Sequence, residues 1–252
     1  MISINHIYRY PVKGLSAEIL AAVNLSVGEG VAGDRQYAFA KEDSGFDPDR
    51  PESLPKTNFL MLMQHENLAA LETKFDPGSD ILSITEPGGR LIQGCLAEAA
   101  GRSRLEDFFF RYMDGKIDAP PRLVQSSGHM FSDRAEKLLS LINLNSVEDF
   151  SERMGMVVDP LRFRANIYFS GVDPWQEFNW IDRRIRIGSA ELLVIDRIQR
   201  CAATNVDPKT AERDMNIPKS LQKNYGHPDL GIYARVVTAG EMTSEDRIEL
   251  MA

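Results

Sequence analysis

Cys201 is the residue of this sequence best placed to do chemistry. It follows Arg200 and opens a polar loop directly after an apolar stretch at residues 189–196 that is typical of a buried strand. A neighbouring arginine stabilises a thiolate, which is both a nucleophile and a metal ligand. The ordinary alternative is a small buried apolar residue, because free cysteines are among the most buried residue types. The residue types alone leave both interpretations open.

Arginine is concentrated on the amino-terminal side of this cysteine. Between residues 162 and 201 there are seven arginines and no lysine, although the whole chain has a formal net charge of -8. The planar guanidinium group suits bidentate contact with phosphate or carboxylate. We expect most of these arginines to be solvated partners of nearby acids, and one or two to contact a ligand. An acidic chain with one local basic region is not expected to bind nucleic acid.

Two further positions could face an anion. Lys13 lies beside Gly14 in a predicted tight turn, and Arg35 follows the glycine-rich residues 28–33. Those glycines match the letters of a dinucleotide-binding fingerprint, but an alternating, strand-like pattern follows them where a helix would be required. We therefore interpret them as a turn between strands. Lys13 and Arg35 remain either surface residues or ligand contacts.

Other reaction classes are not indicated. The four histidines are scattered, and none pairs with another at metal-ligand spacing. His129, Ser132 and Asp133 are interpreted as capping or loop residues, since no nucleophile elbow accompanies them. Cys95 and Cys201 cannot together form a four-thiolate cluster, so electrons would have to come from another protein or a soluble reductant.

The amino terminus has neither a basic start nor an apolar stretch, and nowhere do about twenty apolar residues run together. We expect a cytoplasmic protein without membrane association.

Apolar periodicity predicts many strands and few helices. Strands are expected within residues 2–10, 19–27, 35–40, 81–92, 123–125, 163–169, 184–187, 191–198 and 232–237. Helices are expected within residues 66–75, 97–113, 132–144, 146–154 and 217–225. Strands dominate without regular βαβ alternation, which predicts a β-rich α+β fold with an antiparallel or mixed β-barrel-like core and peripheral helices. The prolines at 120 and 121 mark the clearest candidate domain boundary.

Four short motifs, taken in order, resemble those of the MOSC family, whose domains are similar to the carboxy-terminal part of molybdenum cofactor sulfurase. They are residues 10–13 (YPVK), 33–35 (GDR), 162–167 (RFRANI) and 200–208 (RCAATNVDP). The resemblance covers nearly the whole chain. It implies a smaller amino-terminal β-barrel domain over residues 1–119, followed by a MOSC domain over residues 120–252.

The resemblance also implies a site. The cysteine of the Arg-Cys motif would be the molybdenum ligand, which assigns that role to Cys201 and makes the cofactor a molybdenum-bearing pterin with a dithiolene and a phosphate (molybdopterin). The reaction also requires a proton donor, and Asp207 is a candidate because it is near Cys201 in sequence. The matching motif positions imply cofactor contacts by basic and polar side chains: Lys13, Arg35, Ser132, Arg164, Asn166, Arg200 and Thr204.

The activity implied is reduction of small N-hydroxylated or N-oxygenated compounds, independent of pyridoxal phosphate. It is similar to that of the amidoxime-reducing and hydroxylaminopurine-detoxifying members that lack a ferredoxin domain. Electrons would come from an external reductase or a ferredoxin-like protein. Two alternatives stay open: a sulfur carrier or transferase that uses a Cys201 persulfide, and a non-catalytic carrier of the cofactor.

Overall fold

The computed structural model describes residues 1–251, and this part of the chain contains fifteen strands and three α-helices. The helices are α1 (Ala99–Tyr112), α2 (Leu144–Met154) and α3 (Ile217–Tyr225). The strands are β1 (Ser3–Arg9), β2 (Glu18–Leu20), β3 (Ala22–Leu25), β4 (Tyr37–Ala40), β5 (Glu72–Asp76), β6 (Ile81–Thr85), β7 (Leu91–Cys95), β8 (Arg122–Gln125), β9 (Leu139–Asn143), β10 (Ile167–Ser170), β11 (Arg184–Ile187), β12 (Ala190–Gln199), β13 (Asp229–Thr238), β14 (Gly240–Thr243) and β15 (Ile248–Leu250).

A curled eight-stranded sheet forms the centre of the fold, in the order β15-β11-β12-β13-β9-β10-β1-β2. Its neighbouring strands are antiparallel except for the parallel pair β9 and β10. The predicted fold class, a β-rich fold with a mixed, barrel-like core and peripheral helices, is confirmed. Strands β1 and β2 belong to this sheet although they precede the predicted domain boundary. The division between residues 119 and 120 stays a prediction.

Strand β9 corrects one sequence prediction. Residues 132–144 were expected to be helical, but residues 132–138 form a loop and residues 139–143 form β9, so that only residue 144, the start of α2, is helical. Strand β9 pairs with β10 on one side and β13 on the other. All five residues of β9 are buried. A strand that is buried on both faces lacks the regular alternation of apolar and polar residues, so periodicity does not identify it as a strand.

Three smaller sheets complete the fold: β14 with β3, β4 with β8, and β5-β6-β7. The helical spacing predicted over residues 66–75 is wrong beyond its first turn, since Glu66–Ala70 is a short 3-10 helix and β5 follows it. Helix α1 packs against the three-stranded sheet. The buried faces of Leu105, Phe108 and Phe109 form a second core there, separate from the core of the central sheet.

The ends of two helices show how capping residues set helix boundaries. Helix α3 occupies the predicted residues and ends at Gly226, which has a left-handed φ of 78°. Helix α2 begins two residues before the predicted start. Its cap is Asn143, whose side chain accepts a hydrogen bond from the Asn145 amide at 3.1 Å, because the Ser146 hydroxyl is buried and donates instead to Glu177.

Among residues 1–251, none of the helices has both the length and the apolar character that a bilayer crossing requires.

Candidate functional site

Cys201 lies at the rim of a cleft with an empty volume of about 920 Å³, including the part open to solvent. We call it the Cys201 cleft. The cysteine is half-buried and follows β12, immediately before a short 3-10 helix over Ala202–Asn205. Thr204 fixes this turn, since its amide and its hydroxyl donate to the Cys201 carbonyl at 3.1 and 2.8 Å. A strand end and a tight turn therefore position the thiol as the sequence predicted.

The Cys201 cleft is strongly basic. Its walls carry six cationic side chains and one carboxylate, that of Asp133. The cations come from both halves of the chain: Lys13, Arg35, Lys56, Arg162, Arg164 and Arg200. Four of these cations have carboxylate partners, and Arg164 and Arg200 do not. A cleft with an excess of one sign of charge concentrates ions of the opposite sign. In an acidic protein this arrangement indicates a small anionic ligand.

Lys13 is a buried cation in the turn after β1. Its side chain donates from Nζ to the Phe131 carbonyl and to Asp133 Oδ1, each at 2.9 Å. Burial lowers the pKa of Lys13, and the Asp133 carboxylate opposes that effect. The ammonium group is thus held inside the cleft, where an anion would complete its surroundings.

Arg35 and Arg164 lie over the ring of Tyr10, with guanidinium carbons 4.8 and 4.3 Å from its centroid. The Arg35 Nη2 donates to the Arg164 carbonyl at 2.8 Å, and the Arg164 Nη2 donates to the Leu15 carbonyl at 2.7 Å. Burial, together with the nearby Arg35, lowers the pKa of Arg164 to about 10. Both arginines have left-handed backbone, with φ of 48° and 52°. Such strained residues cluster at ligand sites.

Arg200 is buried, and its donors are largely committed to backbone carbonyls. Nη1 donates to Phe163 at 3.0 Å, and Nε donates to Leu230 at 2.7 Å, with Nη2 adding a second bond to Leu230. Burial lowers the pKa of Arg200 to about 10. Arg200 therefore ties the strand end that carries Cys201 to its neighbouring segments.

Lys56 and Asp133 are site residues that the sequence interpretation missed. Asp133 Oδ2 accepts from Lys56 Nζ at 2.9 Å, while its other oxygen accepts from Lys13. Burial alone would lower the pKa of Lys56, but the Asp133 carboxylate and then the Cys201 side chain raise it. Burial would raise the pKa of Asp133, yet the two lysines hold it well below its usual range. No local sequence signal joins residues that are so far apart in the chain.

Two predicted contacts line the cleft but bond chiefly to the protein itself. The Asn166 side chain accepts from the Ser140 amide at 3.1 Å and from its hydroxyl at 2.9 Å, which links the residue before β10 to β9. The Ser132 hydroxyl donates to the Arg134 carbonyl at 2.6 Å. These bonds shape the cleft wall.

Asp207 is not among the residues that line the Cys201 cleft. Its Oδ2 accepts from Arg162 Nη2 at 2.6 Å. Burial would raise the pKa of Asp207, but the amides of Thr210 and Lys209, together with Arg162, lower it overall. All seven predicted cofactor contacts line the Cys201 cleft together with Cys201 itself, whereas Asp207, the candidate proton donor, does not.

The glycine-rich residues lie elsewhere. Gly28 and Gly33 have φ of 73° and 75° in the connection between β3 and β4. Since β4 is a strand, no helix amino terminus follows them to receive a pyrophosphate.

Comparisons with known proteins add relatives of two kinds. A family model described as MOSC domain matches residues 126–249, and one described as MOSC N-terminal beta barrel domain matches residues 1–119. The chain is 25% identical to human "Mitochondrial amidoxime reducing component 2", over 96% of this chain and 81% of that protein. It is also 25% identical to a "Molybdenum cofactor sulfurase" of Caenorhabditis elegans, over 91% of this chain and 33% of the sulfurase. Among solved structures, the YUAD protein from Bacillus subtilis is 14% identical with a TM-score of 0.47, covering 99% of this chain and 96% of that one.

Proposed function

Because the chain belongs to the MOSC family, we propose that it binds molybdenum cofactor in the Cys201 cleft and reduces N-hydroxylated or N-oxygenated small molecules. The observation that carries this proposal is the meeting of one half-buried thiol with six cationic side chains in a single cleft. The relatives named for amidoxime reduction and for molybdenum cofactor sulfuration support the choice of cofactor.

The donor set of the cleft fits that cofactor. Thiolate is a soft ligand that suits a transition metal, and Cys201 is the thiol among the lining residues. A phosphate group matches the planar donors of Arg35 and Arg164 and the ammonium of Lys13. When bound, the cofactor supplies the two-electron redox chemistry.

The chain's own residues would bind the cofactor and hold it in a fixed orientation. Cys201 would hold the metal at the rim of the cleft, and Thr204 keeps the turn that carries it in place. Lys13, Arg35 and Arg164 would neutralise the phosphate in a partly buried position. Lys56 interacts with Cys201 and bonds to Asp133, and these two residues would add charge and hydrogen-bonding groups to the cleft. A proton donor to the departing oxygen is required; Asp207 is the candidate from sequence, although it lies outside the lining of the cleft and accepts a hydrogen bond from Arg162.

The proposal includes a separate electron donor, either a reductase or a ferredoxin-like protein. Conversion of an N–OH group to N–H with release of water consumes two electrons and two protons. Cys95 and Cys201 are the cysteines of this chain, so an iron–sulfur cluster of its own is not proposed.

The sulfurase relatives favour a second candidate, in which Cys201 carries a persulfide and transfers sulfur to an acceptor. The same thiol would then act as a nucleophile and not as a metal ligand. A third role, as a non-catalytic carrier, would require bound cofactor without turnover.

The deciding experiment is purification of the wild type and Cys201→Ser from a host that makes molybdenum cofactor. Molybdenum and oxidised-pterin fluorescence are measured per polypeptide. We expect close to one of each in the wild type and loss of molybdenum in the variant. Turnover of an N-hydroxylated substrate with an added reductant then separates a reductase from a carrier. If the wild type holds neither metal nor pterin, the metal-ligand role is wrong, and a cyanide-labile persulfide on Cys201 becomes the expected finding.

A further inference from the structure

Two cations of the Cys201 cleft lie close together, although only one of them has a carboxylate partner. Arg35 pairs with Asp34, whereas Arg164 has no carboxylate partner within residues 1–251. The Arg35 Nη2 donates to the Arg164 carbonyl at 2.8 Å, which keeps the two residues side by side. Like charges repel each other more strongly away from water, because little solvent screens them. A feature other than a counter-ion must therefore hold the Arg164 guanidinium in this position.

The ring of Tyr10 is the contact that the two guanidinium groups share. Tyr10 is fully buried, and the guanidinium carbons of Arg35 and Arg164 lie 4.8 and 4.3 Å from the centroid of its ring. The face of an aromatic ring is negative and attracts a cation within about 6 Å, most strongly where water is excluded. The ring thus attracts both cations without adding a charge of its own.

Tyr10 is itself fixed to both of the segments that carry the arginines. Its amide donates to Asp34 Oδ1 at 2.7 Å, and its carbonyl accepts from the Arg35 amide at 2.7 Å. At the far end of the side chain, the hydroxyl donates to the carbonyl of Ala165 at 3.3 Å, directly after Arg164 in the chain. The ring therefore has a defined place between two segments that are distant in sequence.

We propose that Tyr10 is a positioning residue, whose ring holds Arg35 and Arg164 in place so that the cleft is ready for a phosphate group before the ligand arrives. This inference rests on the proposed function, since it concerns the anion-binding end of the proposed cofactor site. Donors that are already in place bind more tightly than donors that must be ordered on binding. Arg164 gives one hydrogen bond to the Leu15 carbonyl, and its other N–H groups are available to an anion.

The test measures how tightly the full chain binds inorganic phosphate. The protein is purified from a host that cannot make molybdenum cofactor, and the Kd is measured by calorimetry. Tyr10→Leu should raise the Kd about tenfold, which is the size of effect expected of a desolvated cation–π contact. Tyr10→Phe keeps the ring and should bind phosphate within about twofold of the wild type. Equal weakening in both variants, or in neither, would overturn the proposal.

A matched control separates the ring's contact with the arginines from its contribution to packing. Phe150 in α2 is fully buried, and within residues 1–251 no guanidinium group lies over its ring. Phe150→Leu also removes a buried ring, so it should lower the free energy of unfolding and leave the Kd for phosphate unchanged. If it weakens phosphate binding as much as Tyr10→Leu does, the effect is one of general packing and the proposal is wrong.

A graded series at position 10 separates electrostatics from shape. Phenylalanine with one, two or three fluorine atoms is incorporated there in place of tyrosine. Fluorine changes the outline of the ring little, but each added atom weakens the negative potential of its face. The Kd for phosphate should rise with each fluorine, by about tenfold across the series. A Kd that does not follow the number of fluorine atoms would contradict the positioning role.

The proposed function is measured independently, as the molybdenum and pterin content of protein from a host that makes the cofactor. If the wild type binds phosphate with the expected dependence on the ring of residue 10 but holds no pterin, the positioning role stands and the proposed function fails. If the wild type binds no phosphate, the positioning role is wrong whether or not pterin is present.

Discussion

Asp133 accepts a hydrogen bond from Lys13 at 2.9 Å and thereby joins two walls of the Cys201 cleft across 120 residues of sequence. Lys13 belongs to the turn after β1, and Asp133 lies in the loop before β9. The same loop receives a second bond from Lys13 at the Phe131 carbonyl. One buried ammonium group therefore holds the loop against the start of the chain.

Asp133→Asn should weaken this link. The amide keeps an acceptor but loses the charge that balances two lysines. Because 43% of the Asp133 side chain is exposed, solvent screens the pair, and we expect a loss of about 1 kcal/mol in the free energy of unfolding at neutral pH. Urea denaturation of both proteins measures the difference.

The difference in the free energy of unfolding between wild type and Asp133→Asn should change with pH in a defined direction. The lysines lower the pKa of Asp133 in the folded protein below its unfolded value of 3.8. The carboxylate thus stabilises the fold fully above that value, and the contribution is lost as the pH falls below it. The stability gap between wild type and Asp133→Asn should shrink on acidification. A gap that grows towards low pH would contradict the ion-pair assignment.

Arg162→Lys tests a second ion-pair centre, in the wall of the Cys201 cleft. Arg162 is buried and donates to both Asp214 oxygens at 2.8 Å and to Asp207 at 2.6 Å. A lysine cannot reproduce this fork. We expect a loss of about 2 to 3 kcal/mol, below the range for a fully buried pair because the carboxylates are partly exposed. Denaturant unfolding measures it, with the exposed Arg111→Lys as control, expected within about 0.5 kcal/mol of wild type.

Local signals predicted some elements well, and long-range pairing decided the rest. Helix α3 was predicted because an early proline, Pro218, and a terminal glycine, Gly226, lie within ten residues. Strand β9 was missed because its five buried residues owe their strand conformation to β10 and β13. Its partners lie far away in the chain, so periodicity alone cannot supply them.

The site residues also divide into those that a local sequence signal indicated and those that only the fold brings together. Cys201 was found because a strand end, an arginine and a polar loop are adjacent in sequence. Lys56 and Asp133 were missed as site residues because each lies in an irregular loop, and they reach Cys201 through the fold. Arg200 was predicted to stabilise the thiolate, and that role stays a prediction; its bonds to Leu230 and Phe163 add a role in bracing the strand end.

Gly231→Ala should destabilise the protein more than Gly226→Ala. Both glycines have left-handed backbone, with φ of 82° and 78°. A Cβ at Gly226 would meet nothing within 4 Å, but one at Gly231 would lie 2.5 Å from the Leu141 carbonyl oxygen. We expect about 1 kcal/mol for Gly226→Ala, from backbone strain alone. Gly231→Ala should cost at least about 2 kcal/mol more, since overpacking adds to strain. Equal losses in thermal or urea unfolding would contradict the close approach of β13 to β9.

The Asp207→Asn variant tests whether Asp207 acts as a proton donor or as a structural carboxylate. Asp207 lies outside the lining of the Cys201 cleft and pairs with Arg162, and its lowered pKa keeps it ionised near neutral pH. If these contacts define its role, the variant should lose stability while the pH dependence of kcat/KM for an N-hydroxylated substrate keeps its shape. The amide can still accept from the Lys209 and Thr210 amides, so the turn is retained. A large fall in kcat with normal molybdenum content would instead establish Asp207 as the donor, because a missing proton acts on turnover and not on cofactor binding.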